Sequence, residues 1–180
     1  MGRSALSVER VVMRLTLHTD YALRVMMFAG AKGDALSTIG EIVEQFDISR
    51  GHVMKVVHRL GQKGYLETIR GKNGGIRLAR RPGQINVGAI VRDMEEELNV
   101  LGCLDGGEEY CRIQRCCVLR SALRDATNAF LATLDRYTIE DLIRPRHALA
   151  RLLGIETQSA TLARERAKGA QSRSETSARA

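Results

Sequence analysis

Between Thr38 and Leu78 the apolar pattern changes from a helical period to a strand period across a glycine-rich turn, and few folds accommodate that order. Thr38 followed by Glu41 has the spacing of a capping box, and Ile39, Ile42, Val43 and Phe46 continue on one helical face. A short turn, Asp47-Ile48-Ser49, leads into a third helix capped by Ser49 and running to about Gly61. Val53, Val56, Val57 and Leu60 line its inner side, while Gly51, Lys55, His58, Arg59 and Gln62 fall opposite, with His52 beside them. Gly64 to Arg70 alternates as a strand, Gly71-Lys72-Asn73-Gly74-Gly75 accepts positive φ, and Ile76-Arg77-Leu78 returns. A hairpin directly after a helix-turn-helix is a wing.

The flanking chain fits the same plan. Thr19 reads as an N-cap, Asp20 as a first-turn acid, and Tyr21 to Ala31 as a first helix. Ile85 to Leu98 reads as a further helix that turns acidic at Asp93, Glu95, Glu96 and Glu97. Residues 99–118 form a loop with all four cysteines. Leu119, Leu123, Ala126, Phe130, Thr133 and Tyr137 then step in heptad fashion, on a helix that needs a partner to bury its stripe. Ile139, Leu142 and Ile143 add apolar material before Pro145, and the residues after about 156 lack periodicity. The expected fold is mainly α with a small β-hairpin. Its parts are an extension over 1–12, a winged helix-turn-helix over 13–83 and a connecting helix with cysteine loop over 84–118. A dimerisation helix with its following segment covers 119–144, and a tail covers 145–180, mostly disordered from about 156.

The charge sits where this plan wants it. The chain carries a formal net charge of +7, which favours a polyanionic partner, nucleic acid or an anionic membrane surface. Nine Lys or Arg lie between Arg50 and Arg81, against the single acid Glu67. On a recognition helix and wing such cations displace counterions from phosphates. Candidate DNA contacts are Arg50, His52, Lys55, Arg59, Arg70, Lys72, Asn73 and Arg77, with His52, Lys55 and Arg59 as base readers and Lys72-Asn73 at the minor groove. No apolar run is long enough for a membrane span, and charges occupy the place of a signal peptide's apolar stretch, so a cytoplasmic protein is expected.

In that compartment thiols stay reduced, so the cysteines point to metal or redox chemistry. Cys103, Cys111, Cys116 and Cys117 are spaced C-x7-C and C-x4-C-C. An iron–sulfur site, a thiol switch and a zinc site all remain open on spacing, although the paired knuckles usual for zinc are missing. No C-x-x-C pair and no nucleophile–base pair suggests an enzyme.

Met13-Arg14-Leu15-Thr16 with Thr19-Asp20-Tyr21-Ala22-Leu23-Arg24, and Arg70 to Leu78, resemble the opening and wing of the winged-helix iron–sulfur repressors, the group that includes NsrR, IscR and RirA. Cys117-Val118-Leu119 with Ala122-Leu123, and Leu134 to Leu142, are similar to the ends of that family's dimerisation helix, and the likeness covers about residues 13–143. Ser49 to Val57 and Gly71 to Leu78 resemble the nitric-oxide-sensing NsrR branch most closely. The resemblance implies a [4Fe-4S] or [2Fe-2S] iron–sulfur cluster held by Cys103, Cys111 and Cys117, with Asp20 of the partner subunit as fourth ligand. It further implies a homodimeric repressor on double-stranded DNA with a palindromic operator, released when nitric oxide nitrosylates the cluster or the cluster is lost. Sensing of iron supply or oxidative stress by the same fold, and a metal-free thiol switch, are the alternatives. The C-x7-C gap is longer than the family's, Cys116 is extra, and both terminal extensions lack a counterpart.

Overall fold

The computed structural model describes residues 14–96, 98, 113, 116–144 and 146–155. The expected extension, most of the cysteine loop with Cys103 and Cys111, and the tail after Ile155 lie outside them. Seven α-helices and one hairpin make up the described chain: α1 Leu17–Lys32, α2 Ile39–Phe46, α3 Arg50–Gln62, β1 Leu66–Ile69, β2 Gly75–Leu78, α4 Val87–Met94, α5 Val118–Leu134, α6 Ile139–Leu142 and α7 Arg146–Leu152, with a 3-10 turn at Pro82–Gln84. The architecture is mainly α with a small β-hairpin, as expected.

Local chemistry sets the helix ends. Thr38 and Glu41 form the capping box, with the Thr38 N–H donating to Glu41 Oε2 at 2.7 Å. Asp47 closes α2 in the left-handed region at φ 51, which a short polar side chain tolerates, and so permits the tight turn into α3. Ser49 caps α3, accepting from His52 N–H. The first helix differs from expectation: it begins at Leu17 with Thr16 as N-cap, and Thr19 is buried inside it. The reason is tertiary, because the Glu95 carboxylate accepts from Thr16 N–H at 2.8 Å and fixes the cap one turn earlier. The helix expected over Ile85 to Leu98 is shorter, bounded by Asn86, which caps it through Ala89 N–H, and by Glu95 in extended backbone.

One core joins these elements. Val53, Val56, Val57 and Leu60 of α3 are buried as their spacing predicts, against Ala22, Val25, Met26 and Ala29 of α1 and Ile42 of α2. Ile90 and Met94 of α4 close it from another side. Ile139 and Ile143 reach the same core and pack on Gly30, where an added Cβ would meet Ile139 Cγ2 at 3.1 Å. The α7 helix, read from sequence only as the start of a tail, contributes the buried Ala150, and Gln45 Nε2 donates to Leu152 O at 3.3 Å.

The hairpin pairs Leu66 with Leu78 and Ile69 with Gly75. It is stitched to the start of α2 by a bridge, in which Ser37 N–H donates to Ile76 O at 2.9 Å and Ile76 N–H donates to Ser37 O at 2.8 Å. That approach needs glycine, since a Cβ on Gly75 would stand 2.7 Å from Ser37 O. Gly75→Ala is expected to cost about 1–3 kcal/mol of stability, read as a lower urea midpoint. An unchanged midpoint would show that the wing is not fixed by this bridge.

Candidate nucleic-acid interface and cysteine site

The exposed side of α3 carries Arg50, His52, Met54, Lys55 and His58. Arg70, Lys72 and Asn73 are exposed around the hairpin turn. The two surfaces border one groove, with Arg50, Met54 and His58 on one wall and Thr68, Gly71 and Gly74 on the other. His52 is held locally, its Nδ1 2.9 Å from Ser49 Oγ and its ring 5.9 Å from that of Tyr21.

Not all the cations of this stretch face outward. Arg77 pairs across the hairpin with Glu67 at 2.9 Å. Arg80 bonds Gly64 O and stacks over Tyr65 at 5.5 Å. Arg59, expected on the reading face, is half-buried and turned toward the end of α4, where Nε and Nη2 donate to Asp93 O at 3.2 and 3.0 Å. Its Nη1 also pairs with Glu96 Oε1 at 3.4 Å. Lys63 donates to Asp93 Oδ1 at 2.8 Å and Tyr65 Oη donates to Asp93 Oδ2 at 2.6 Å. Arg50, Lys55, Arg70 and Lys72 have no ion-pair partner among the described residues, and they leave exposed positive charge on α3 and around the hairpin turn, Arg50 at the groove itself.

The Asp93–Glu96 junction is the feature that sequence reading passed over. Its acids were visible as a run, and their signal was charge: they answer the group of nine cations between Arg50 and Arg81. Burial pushes the Asp93 carboxyl up, but the hydrogen bonds from Lys63 and Tyr65, with the charges of Lys63 and Arg59, outweigh it and hold the group below its ordinary value. Burial, then the hydrogen bond to Asp93 and its charge, push the Tyr65 phenol up, so both partners keep the states that bind each other.

Of the expected cluster ligands, Cys117 and Asp20 are described. Cys117 is half-buried at the N-cap position of α5 and makes no side-chain cap bond. Cys116 is exposed and its Sγ donates to Ile113 O at 3.4 Å. Asp20, in the first turn of α1, pairs with Arg24 at 2.9 Å. Among the described residues no three His, Cys, Asp or Glu side chains converge as a metal site.

The α5 helix has no buried residue, and Val118, Leu119, Phe130 and Tyr137 are largely exposed. Among the described residues, its polar contacts with α4 gather at its far end. Arg92 Nη1 donates to Asp135 Oδ1 at 2.7 Å, Asn86 Nδ2 donates to Asp135 O at 2.6 Å, and Val87 N–H donates to Tyr137 O at 2.9 Å.

Residues 15–145 match the family model Rrf2, described as an iron-dependent transcriptional regulator. The chain is 46% identical over 142 residues to the HTH-type transcriptional regulator NsrR of Bacillus subtilis, covering 78% of this chain and 97% of that one. Among solved structures, T. potens IscR superposes with a TM-score of 0.60 at 21% identity, covering 74% of this chain and 88% of that one. The global cysteine regulator CymR of B. subtilis superposes with a TM-score of 0.59 at 23% identity, covering 73% and 96%. No helix among the described residues is long and apolar enough to cross a membrane.

Asp93→Asn is expected to lower stability by about 1 kcal/mol near neutral pH, the low figure reflecting partial exposure. A carboxyl held low in the folded state stabilises above its ordinary value of 3.8 and loses that contribution as pH falls through its lowered folded value. The gap between variant and wild type should therefore close in acid. Denaturant unfolding across pH checks this, and a gap that stayed constant would count against the ionised network.

Proposed function

Because the chain belongs to the Rrf2 family of transcriptional regulators, we propose that it is a homodimeric, cytoplasmic repressor that binds a palindromic operator and carries an iron–sulfur cluster through which nitric oxide is sensed. The observation that carries the reading is the place of Cys117. It opens the one long helix whose apolar stripe is left uncovered, so a ligand and a dimer surface share one element.

The donor set fits such a cluster. Cys103, Cys111 and Cys117 would hold it as thiolates, with Asp20 from across the dimer as the fourth ligand, and Cys116 is left over. When bound, the cluster supplies iron that nitric oxide can nitrosylate. The chain's own part is mechanical and electrostatic. Leu119, Ala126, Phe130 and Tyr137 would meet their copies in the second protomer, burying apolar area at about 25 cal/mol per Å². The dimer would place two α3 helices about one DNA turn apart, roughly 34 Å. Arg50 and Lys55 would neutralise phosphates or reach base edges, His52 would read bases beside them, and Arg70, Lys72 and Asn73 would follow the minor groove. Arg77 would help through the hairpin, which its pairing with Glu67 stiffens. The 46% identity to a regulator named NsrR over most of both chains supports the nitric oxide signal over other inputs.

Anaerobic protein should show a thiolate-to-iron absorbance that Ala at Cys103, Cys111 or Cys117 removes and Cys116→Ala leaves. Nitric oxide should bleach it and release DNA from the same sample in a mobility-shift assay. Release by iron chelation alone, with indifference to nitric oxide, would point to iron supply as the signal. Lys72→Ala should weaken binding to every duplex and lower the slope of log affinity against log salt by about 0.9, measured by fluorescence anisotropy. An unchanged slope would remove the wing tip from the interface.

A further inference from the structure

The chain leaves the Asp93–Glu96 junction directly into the segment that carries Cys103 and Cys111. Each junction residue that bonds grips a different part of the reading head. The Asp93 carbonyl takes two bonds from Arg59 of α3, and the Asp93 carboxylate takes Lys63 at the end of α3 and Tyr65 before β1. The Glu95 carboxylate takes Thr16 N–H at 2.8 Å and Thr16 Oγ1 at 3.2 Å, at the start of the helix that bears Asp20. The α4 helix is also clamped to the close of α5, by Asn86 at its start and by Arg92 from its last turn. The chain that leads on toward the cysteines therefore departs within three residues of a main-chain acceptor bonded to the recognition helix, past Met94, the extended Glu95 and Glu96.

We propose that Arg59 is a positioning residue, and that its bonds to the Asp93 carbonyl and Glu96 transmit the state of the cysteine segment to the recognition helix. The inference rests on the metal-dependent regulation proposed above. It gives Arg59 a role other than DNA contact. Its guanidinium points away from the groove, and the acceptor it needs is backbone, so no substitution within the junction can remove that acceptor. Lys in its place could make one bond and not the paired set.

The test uses full-length wild type, Arg59→Ala, Arg59→Lys and Arg50→Ala. Each is assayed with its chromophore intact and after stripping by chelator. The probe is a duplex selected from a random pool by the loaded wild type. Wild type should lose about tenfold or more in affinity on stripping. Arg59→Ala should keep its absorbance spectrum but lose the difference, its loaded form binding within about twofold of its stripped form, with Arg59→Lys between. Arg50→Ala, on the groove, should weaken both forms alike and keep the ratio. Hydrogen exchange at the amides of Leu60 to Gly64 should differ between loaded and stripped wild type and not between the two forms of Arg59→Ala. If Arg59→Ala scaled both forms equally or kept the full ratio and the exchange difference, Arg59 would not be the transmitter. If wild type itself bound equally in both forms, the regulatory reading would fall, and the inference with it.

Discussion

A helix that ends in the protein interior leaves carbonyl groups that must find donors, and the rest of this molecule is arranged around how α4 meets that demand. The guanidinium of Arg59 supplies paired donors to Asp93 O, and the side chains of Asp93 and Glu95 turn outward to bind two further elements. A short helix of eight residues thereby contacts the recognition helix, the approach to the hairpin and the start of α1. It is also fixed to the close of α5, by Asn86 at its start and Arg92 in its last turn.

The cations of the DNA-binding unit divide into two groups by what they touch. Arg59, Lys63, Arg77 and Arg80 are engaged with protein acceptors and stiffen the frame. Arg50, Lys55, Arg70 and Lys72 have no acidic partner among the described residues and are free to meet phosphate. Surface pairs of the first kind stabilise little individually. Their value lies in geometry, because they brace α3 and the hairpin, the elements that carry the second kind.

Much of the fold was legible in the sequence because its signals are local. The Thr38–Glu41 box, the Ser49 cap, the period of Val53 to Leu60 and the glycines of the turn each specify their own few residues. What escaped was tertiary. Thr16 caps α1 because Glu95, distant in the chain, reaches it, and Thr19 looked the better cap in isolation. Arg59 has the spacing of an outward residue, yet an acceptor presented by another helix draws it sideways. The α7 helix has little pattern of its own and exists by packing on α1 and α2. Of the cysteine site, the residue types and order were readable, and Cys117 stands at the N-cap of α5.

The one-ended mounting of α5 has a mechanical consequence. The helix has 17 residues, and its length is therefore about 25 Å. Among the described residues it is pinned near Asp135, and Cys117 lies a full helix length from that base. A tilt of about 5° at the pivot sweeps the tip through about 2 Å. The same ratio works in reverse, so a displacement of about 2 Å at the cysteine end corresponds to only about 5° of angle at the Asp135 base.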